Sequence, residues 1–92
     1  RNNPAISINE NQLKNSFSLF PNPATEELNI EFKETHKNVV IQVFDMTGRE
    51  IYHSKLKRGV KAQIDVSNWP EGAYTLKVIS NGSVETQKFI KN

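Results

Sequence analysis

The sequence predicts an all-β sandwich of about seven short antiparallel strands. Apolar and polar residues alternate at period two in one segment after another. Turn-forming residues interrupt these segments roughly every 8–12 residues. No stretch carries the apolar period of a helix.

Arg1 to Asn15 is polar, rich in Asn and without a sustained period, so it reads as a linker, with the folded domain spanning residues 16–92. Ser16-Phe17-Ser18-Leu19-Phe20 is a short strand with Phe17 and Leu19 on one face. Pro21-Asn22-Pro23 ends it. Two prolines remove two backbone donors, which places this strand at a sheet edge. In Glu27–Phe32, Leu28, Ile30 and Phe32 alternate strictly with polar residues. Lys33–Asn38, containing His36, is a polar connection.

Val39–Asp45 is the most apolar segment. Val39, Ile41 and Val43 share one face, and Val40 and Phe44 the other. Such a strand is either covered on both sides or has one flank meeting the linker. Asp45-Met46-Thr47-Gly48-Arg49 is a turn in which Asp45 accepts from backbone N–H groups ahead of it and Gly48 takes a positive φ. Glu50–Leu56 completes a hairpin, and Lys57-Arg58-Gly59 ends that strand. Lys61–Val66 follows, with Ala62, Ile64 and Val66 on one face. Ser67-Asn68-Trp69-Pro70-Glu71-Gly72 breaks the pairing. The lone Trp69 caps the end of the core. Ala73–Ser80 buries Tyr74, Leu76 and Val78, and Asn81-Gly82 is a type I′ hairpin signal. Ser83–Lys91 is the last strand. Its adjacent Phe89 and Ile90 leave its inward register open.

Composition narrows the function. A chain of 92 residues is enough for one domain and buries roughly 60–65% of its unfolded surface, too little for a large enzyme pocket. The pI near 9.0 arises from only two excess charges. The basic residues Lys55, Lys57, Arg58 and Lys61 are diluted by apolar ones, which argues against nucleic-acid binding. With no Cys, thiolate metal sites and thiol catalysis are excluded. No apolar run reaches the roughly 18–20 residues of a membrane helix. His36 and His53 read as surface histidines, and no residue set has zinc spacing. Met46 interrupts the one segment similar to an aspartic-protease motif, and no second copy supplies a partner carboxylate. No nucleophile–base pair or phosphate loop is visible. The chain therefore reads as a binding or interaction module, not an enzyme, with no cofactor.

Four stretches extend that reading: Leu19-Phe20-Pro21-Asn22-Pro23-Ala24-Thr25, Val43 to Ile51, Asp65 to Tyr74, and Lys88-Phe89-Ile90-Lys91-Asn92. In this order and with these gaps, the chain resembles the type A C-terminal sorting domain of the type IX (Por) secretion system of Bacteroidota. The resemblance runs from Ser16 to Asn92. Phe20 stands where Tyr is common and Trp69 where Leu is usual; both keep the position apolar.

The resemblance implies an immunoglobulin-like fold and a function of address. Such a domain follows an upstream cargo domain, passes through the periplasm and is recognised by an outer-membrane translocon. A sortase-like protease then removes it, leaving the cargo at the cell surface or released. Cleavage is expected in or before residues 1–15. Lys88, Phe89, Ile90, Lys91 and Asn92 are expected to contact the machinery, with Lys88 and Lys91 exposed. Pro21, Asn22, Pro23, Asp45, Gly48, Arg49, Gly72 and Tyr74 are expected mainly to preserve the fold. Capture by pairing with the exposed first or last strand is the expected mode. No nucleic acid, membrane insertion or self-association is expected. The rival reading is an immunoglobulin- or fibronectin-like accessory module that binds carbohydrate through Trp69, Tyr52 or Tyr74.

Overall fold

The computed structural model describes residues 16–92; the linker reading and the expected cleavage region fall outside the described residues. Five strands run in chain order: β1 (Phe17–Phe20), β2 (Glu27–Phe44), β3 (Glu50–Asp65), β4 (Gly72–Ser80) and β5 (Ser83–Lys91). There is no helix among the described residues. All pairings between strands are antiparallel.

The expected number of strands, about seven, is corrected to five. Glu27–Phe32 and Val39–Asp45 belong to one continuous strand, β2, and Glu50–Leu56 and Lys61–Val66 to another, β3. Residues 33–38 are polar and mostly exposed, yet they remain part of β2, with one left-handed residue at Asn38 (φ 55°). His36 therefore lies in a strand and not in a loop.

The β2–β3 hairpin changes register between Glu31↔Lys61 and His36↔Gly59. Four residues of β2 (32–35) lie opposite one of β3, Val60. That surplus bends the ribbon, as an oversized bulge does. The bend divides the ribbon between two layers. β1 pairs with the first half of β2, from Asn29 to Phe32, and the second half of β3 flanks it on the other side. The second half of β2 lies between the first half of β3 and β4, and β5 pairs with β4.

Alternation sends one side chain of every two inward. Phe17, Leu28, Ile30, Phe32 and Ile64 from one layer meet Val39, Ile41, Val43, Leu76, Val78 and Phe89 from the other in a single core. Val40 and Phe44 point the other way and stay half-exposed, so among the described residues β2 is covered on one face only. Asn81 (φ 51°) and Gly82 (φ 80°) make the expected tight hairpin between β4 and β5.

Gly59 does not end a strand as expected; it lies buried inside β3, at the bend. A Cβ there would sit 2.9 Å from Val39 Cγ2 and 3.2 Å from Phe32 Cε2. The residue is therefore needed for close approach and not for a turn. Gly59→Ala should destabilise the domain by about 1–3 kcal/mol through overpacking, read as a lower denaturant midpoint with an unchanged slope.

Candidate functional site

The chain carries two short acidic turns built alike. In the β2–β3 turn, Asp45 Oδ1 accepts from Thr47 N (2.9 Å), Thr47 Oγ1 (2.6 Å) and Arg49 N (3.1 Å). Gly48, at φ 88°, lets the chain return so that Asp45 N donates to Arg49 O. Arg49 Nε lies 3.4 Å from Asp45 Oδ2, an exposed pair of little energetic weight. After β3, Asp65 Oδ1 accepts from Ser67 N (3.0 Å) and Ser67 Oγ (2.7 Å). Hydrogen bonds to the charged form hold both carboxyls below their ordinary value. The Thr47 hydroxyl contributes most at Asp45 and the Ser67 hydroxyl most at Asp65.

The β3–β4 loop and the start of β4 each deliver an aromatic ring to the end of the core. Trp69 is half-buried and lies 5.3 Å from the Tyr74 ring, 6.3 Å from Tyr52 and 6.5 Å from Phe89, centroid to centroid. Tyr74 stacks on Phe89 at 5.5 Å. The Tyr74 hydroxyl donates to the carbonyl of Pro70, four residues upstream. This is the tyrosine corner of immunoglobulin-like sandwiches, which closes a loop by tying a strand-borne ring back to the backbone. Burial, and secondarily the charge of Asp45, pushes the Tyr74 hydroxyl above its ordinary pKa, so it stays a donor. Trp69 thus caps the core as expected.

The last residues of β5 close the same end. Ile90 N donates to Asn22 Oδ1 (3.0 Å), Ala24 N donates to Ile90 O (2.8 Å), and Asn92 N donates to Ala24 O (2.8 Å). Both prolyl bonds of the Pro21-Asn22-Pro23 loop, Phe20-Pro21 and Asn22-Pro23, are cis. Ala24 is fully buried and forms a parallel bridge to Lys91. The loop and the last strand therefore make one clasp.

All thirteen residues singled out in the sequence lie at this end. Asp45, Arg49, Gly72 and Tyr74 line one shallow cleft of about 200 Å³ together with Met46 and Pro70. Gly48 lies in the adjoining turn. Gly72 pairs with Lys91, and Tyr74 with Phe89. Pro21, Asn22 and Pro23 border β5 through the clasp.

Within the final motif the structure separates two roles. Alternation turns Phe89 inward, at 1% exposure, and Ile90 outward, which resolves the register. Lys91 shares the inward face. It was expected exposed, but it is 6% exposed, and its Nζ donates to Asn92 O (2.9 Å). Lys88, Ile90 and Asn92 are exposed.

β1 and β5 stand at the two edges of the sheet. Side-chain bonds join them: Ser16 N and Oγ donate to the Glu85 carboxylate, and Gln87 Nε2 donates to Phe17 O. β3 pairs with β2 alone and keeps its other edge open. The histidines are apart. His53 sits 3.0 Å from Glu50. His36, expected at the surface, is half-buried with its ring against Phe32. Sequence reasoning missed Ala24 and the Ser16–Glu85 contact. A small residue after Pro-Asn-Pro could have hinted at close packing; nothing in the sequence marks Glu85.

The sequence profile described as "Secretion system C-terminal sorting domain" matches residues 18–92. The chain belongs to this family. The sorting domain is also 31% identical over 99 aligned residues to karilysin of Tannerella forsythia, covering 96% of this chain and 20% of that protein. The chain thus spans about a fifth of that relative's length. A solved DUF3244 family protein from Bacteroides vulgatus, with an immunoglobulin-like β-sandwich fold, superposes with a TM-score of 0.73. It shares 18% identity and 84% coverage of each chain, and this likeness concerns the fold alone. The domain is a sorting signal of type IX secretion, carried on a cargo protein and directing its export from the cell. The carbohydrate-module reading is not favoured: Trp69 packs between Tyr52 and Tyr74, Tyr74 belongs to the core, and Tyr52 and Trp69 pack against it.

Two predictions test this end. Tyr74→Phe should cost about 1–2 kcal/mol by removing the donor to Pro70, measured by chemical denaturation. Asp45 and Asp65 have folded pKa values below their unfolded ones. Their contribution to stability is therefore present above the unfolded value near 3.8 and is lost as pH falls through the lower folded values. Thermal unfolding followed from pH 6 to pH 2 should show a falling midpoint in the acid range, and the double variant Asp45→Asn with Asp65→Asn should flatten that fall.

Proposed function

We propose that the outer-membrane translocon recognises this domain in its folded form after periplasmic transit. A sortase-like protease then separates it from the upstream cargo, which stays at the surface or is released. The domain acts as an address and a monomer, with no catalytic role and no cofactor. One observation supports this reading above others: the four motif stretches, distant in sequence, meet at one end of the sandwich and hold one another there. A recogniser that engaged this end would test all four at once. The final motif then has two tasks. Phe89 and Lys91 complete the fold, while Lys88, Ile90 and Asn92 are available for contact.

The reading is tested by fusing residues 1–92 to a periplasmic reporter in a bacterium that carries the system. The intact fusion should leave the cell, and deletion of Lys88 to Asn92 should retain it in the periplasm. That deletion also removes Phe89 from the core, so point variants separate the two tasks. Phe89→Ala should lower stability by about 3–5 kcal/mol. Lys88→Ala with Asn92→Ala should leave the unfolding midpoint in place and reduce export. An intact fusion that stays inside would defeat the proposal.

A further inference from the structure

The outward face of the β3–β2–β4–β5 layer has a composition that the fold does not require. In register across the four strands, Lys55, Val40, Ile79 and Val84 form one row, and His53, Gln42, Lys77 and Thr86 the next. Phe44, Thr75 and Lys88 form a third, with Ile90 beyond. Val84 is 56% exposed and Ile90 43%. Lys57 joins the lysines by alternation along β3. The face thus sets lysines among apolar side chains, with Val40, Ile79 and Val84 in one row, Phe44 and Ile90 towards the other end, and Lys77 in the polar row between them.

Carboxylates are scarce on this face. Glu50 reaches it, and is held by Gln42 Nε2 (3.1 Å) and His53 Nδ1 (3.0 Å). Among the described residues, no ion pair engages Lys55, Lys57, Lys77 or Lys88. The opposite layer is mixed. Its outward residues along β2 and β3 include Glu27, Glu31 and Asp65 beside Lys33 and Lys61, so charges of both signs are interspersed there. A net charge of only +2 conceals an uneven distribution, with unpaired lysines gathered on one face.

We propose that this lysine-rich face is a docking surface for a partner protein that presents carboxylates among apolar side chains. The proposal rests on the reading of the chain as a sorting domain and extends the contact surface from Lys88 and Ile90 across the outward face of β4, β2 and β3. Charge complementarity selects the partner: unpaired lysines steer an acidic surface and repel a basic one. Geometry favours a protein over a bilayer. The apolar side chains lie flat on a sheet and not on a protruding loop, so they are covered by a surface that comes down onto them. Four strands roughly 4.8 Å apart and about five residues long make a platform on the order of 15 by 17 Å. That area is well below the roughly 800 Å² per partner of a stable complex, which suits transient capture of a passing cargo.

The test uses the reporter fusion with two substitutions outside every family motif, Lys55→Glu and Lys77→Glu. Glu27→Lys with Glu31→Lys on the opposite layer is the control. A photo-crosslinking residue is placed at Thr86 or, for comparison, at Ser18. The reversed-lysine variant should be exported at least tenfold less than the parent with an unchanged unfolding midpoint, and the control should be exported normally. Thr86 should form a protein adduct in cells, and Ser18 should not. Normal export of the reversed-lysine variant beside an exported parent overturns the face alone. Equal adducts from both positions overturn it as well. Lysine-dependent flotation of the purified fusion with phosphatidylglycerol–phosphatidylcholine vesicles, without a protein adduct, assigns the face to a membrane and overturns the protein partner. A parent fusion that stays inside overturns the sorting reading, and this face's role with it.

Discussion

The close approach of β3 to β2 at Gly59 is the constraint on which the architecture depends. The hairpin of β2 and β3 is too long to remain in one flat sheet and still bury its apolar face. It bends where four residues of β2 lie opposite one of β3. Phe32 and Val39 can pack against that bend only because residue 59 has no side chain. Once the ribbon is bent, its two halves supply the centre of both layers. β1, β4 and β5 then add where edges remain.

Bending also decides where the ends of the strands go. β2 starts and finishes at the same end of the molecule, as does β3. The turns at Asp45 and Asp65 therefore lie beside the Pro21-Asn22-Pro23 loop and the last strand. Hydrogen bonds through Ala24, Asn22, Ile90 and Asn92 hold these pieces together. A chain whose last strand is part of its core cannot present a finished recognition end until that strand is in place. This links the fold to the function, because the last residues serve the address partly by completing the domain that carries it.

The sides of the sandwich carry different information from its end. Motif residues concentrate at the end, where backbone geometry restricts the choice of residue. The outward sheet faces carry no such restriction, and their charge is free to differ. That freedom leaves the lysine-rich face without a motif of its own.

Much of this was legible in the sequence because period-two alternation reports burial directly. Leu28, Ile30 and Phe32, Val39, Ile41 and Val43, and Tyr74, Leu76 and Val78 all face the core as their spacing requires. Turn chemistry was legible at Asp45 and at Asn81-Gly82 for the same local reason. The order of the four motif stretches determined the family. Contacts between residues distant in the chain were not legible. Polarity over residues 33–38 marks exposure, and an exposed strand shares that signature with a loop, so two bent strands looked like four. Lys91 looked like a free terminal charge until pairing with Gly72 turned it inward. The sequence by itself determined which residues are buried, where the chain turns and which family it joins. Only the tertiary structure decided which strands are continuous and which residues meet, because those depend on register and on contacts that no local pattern encodes.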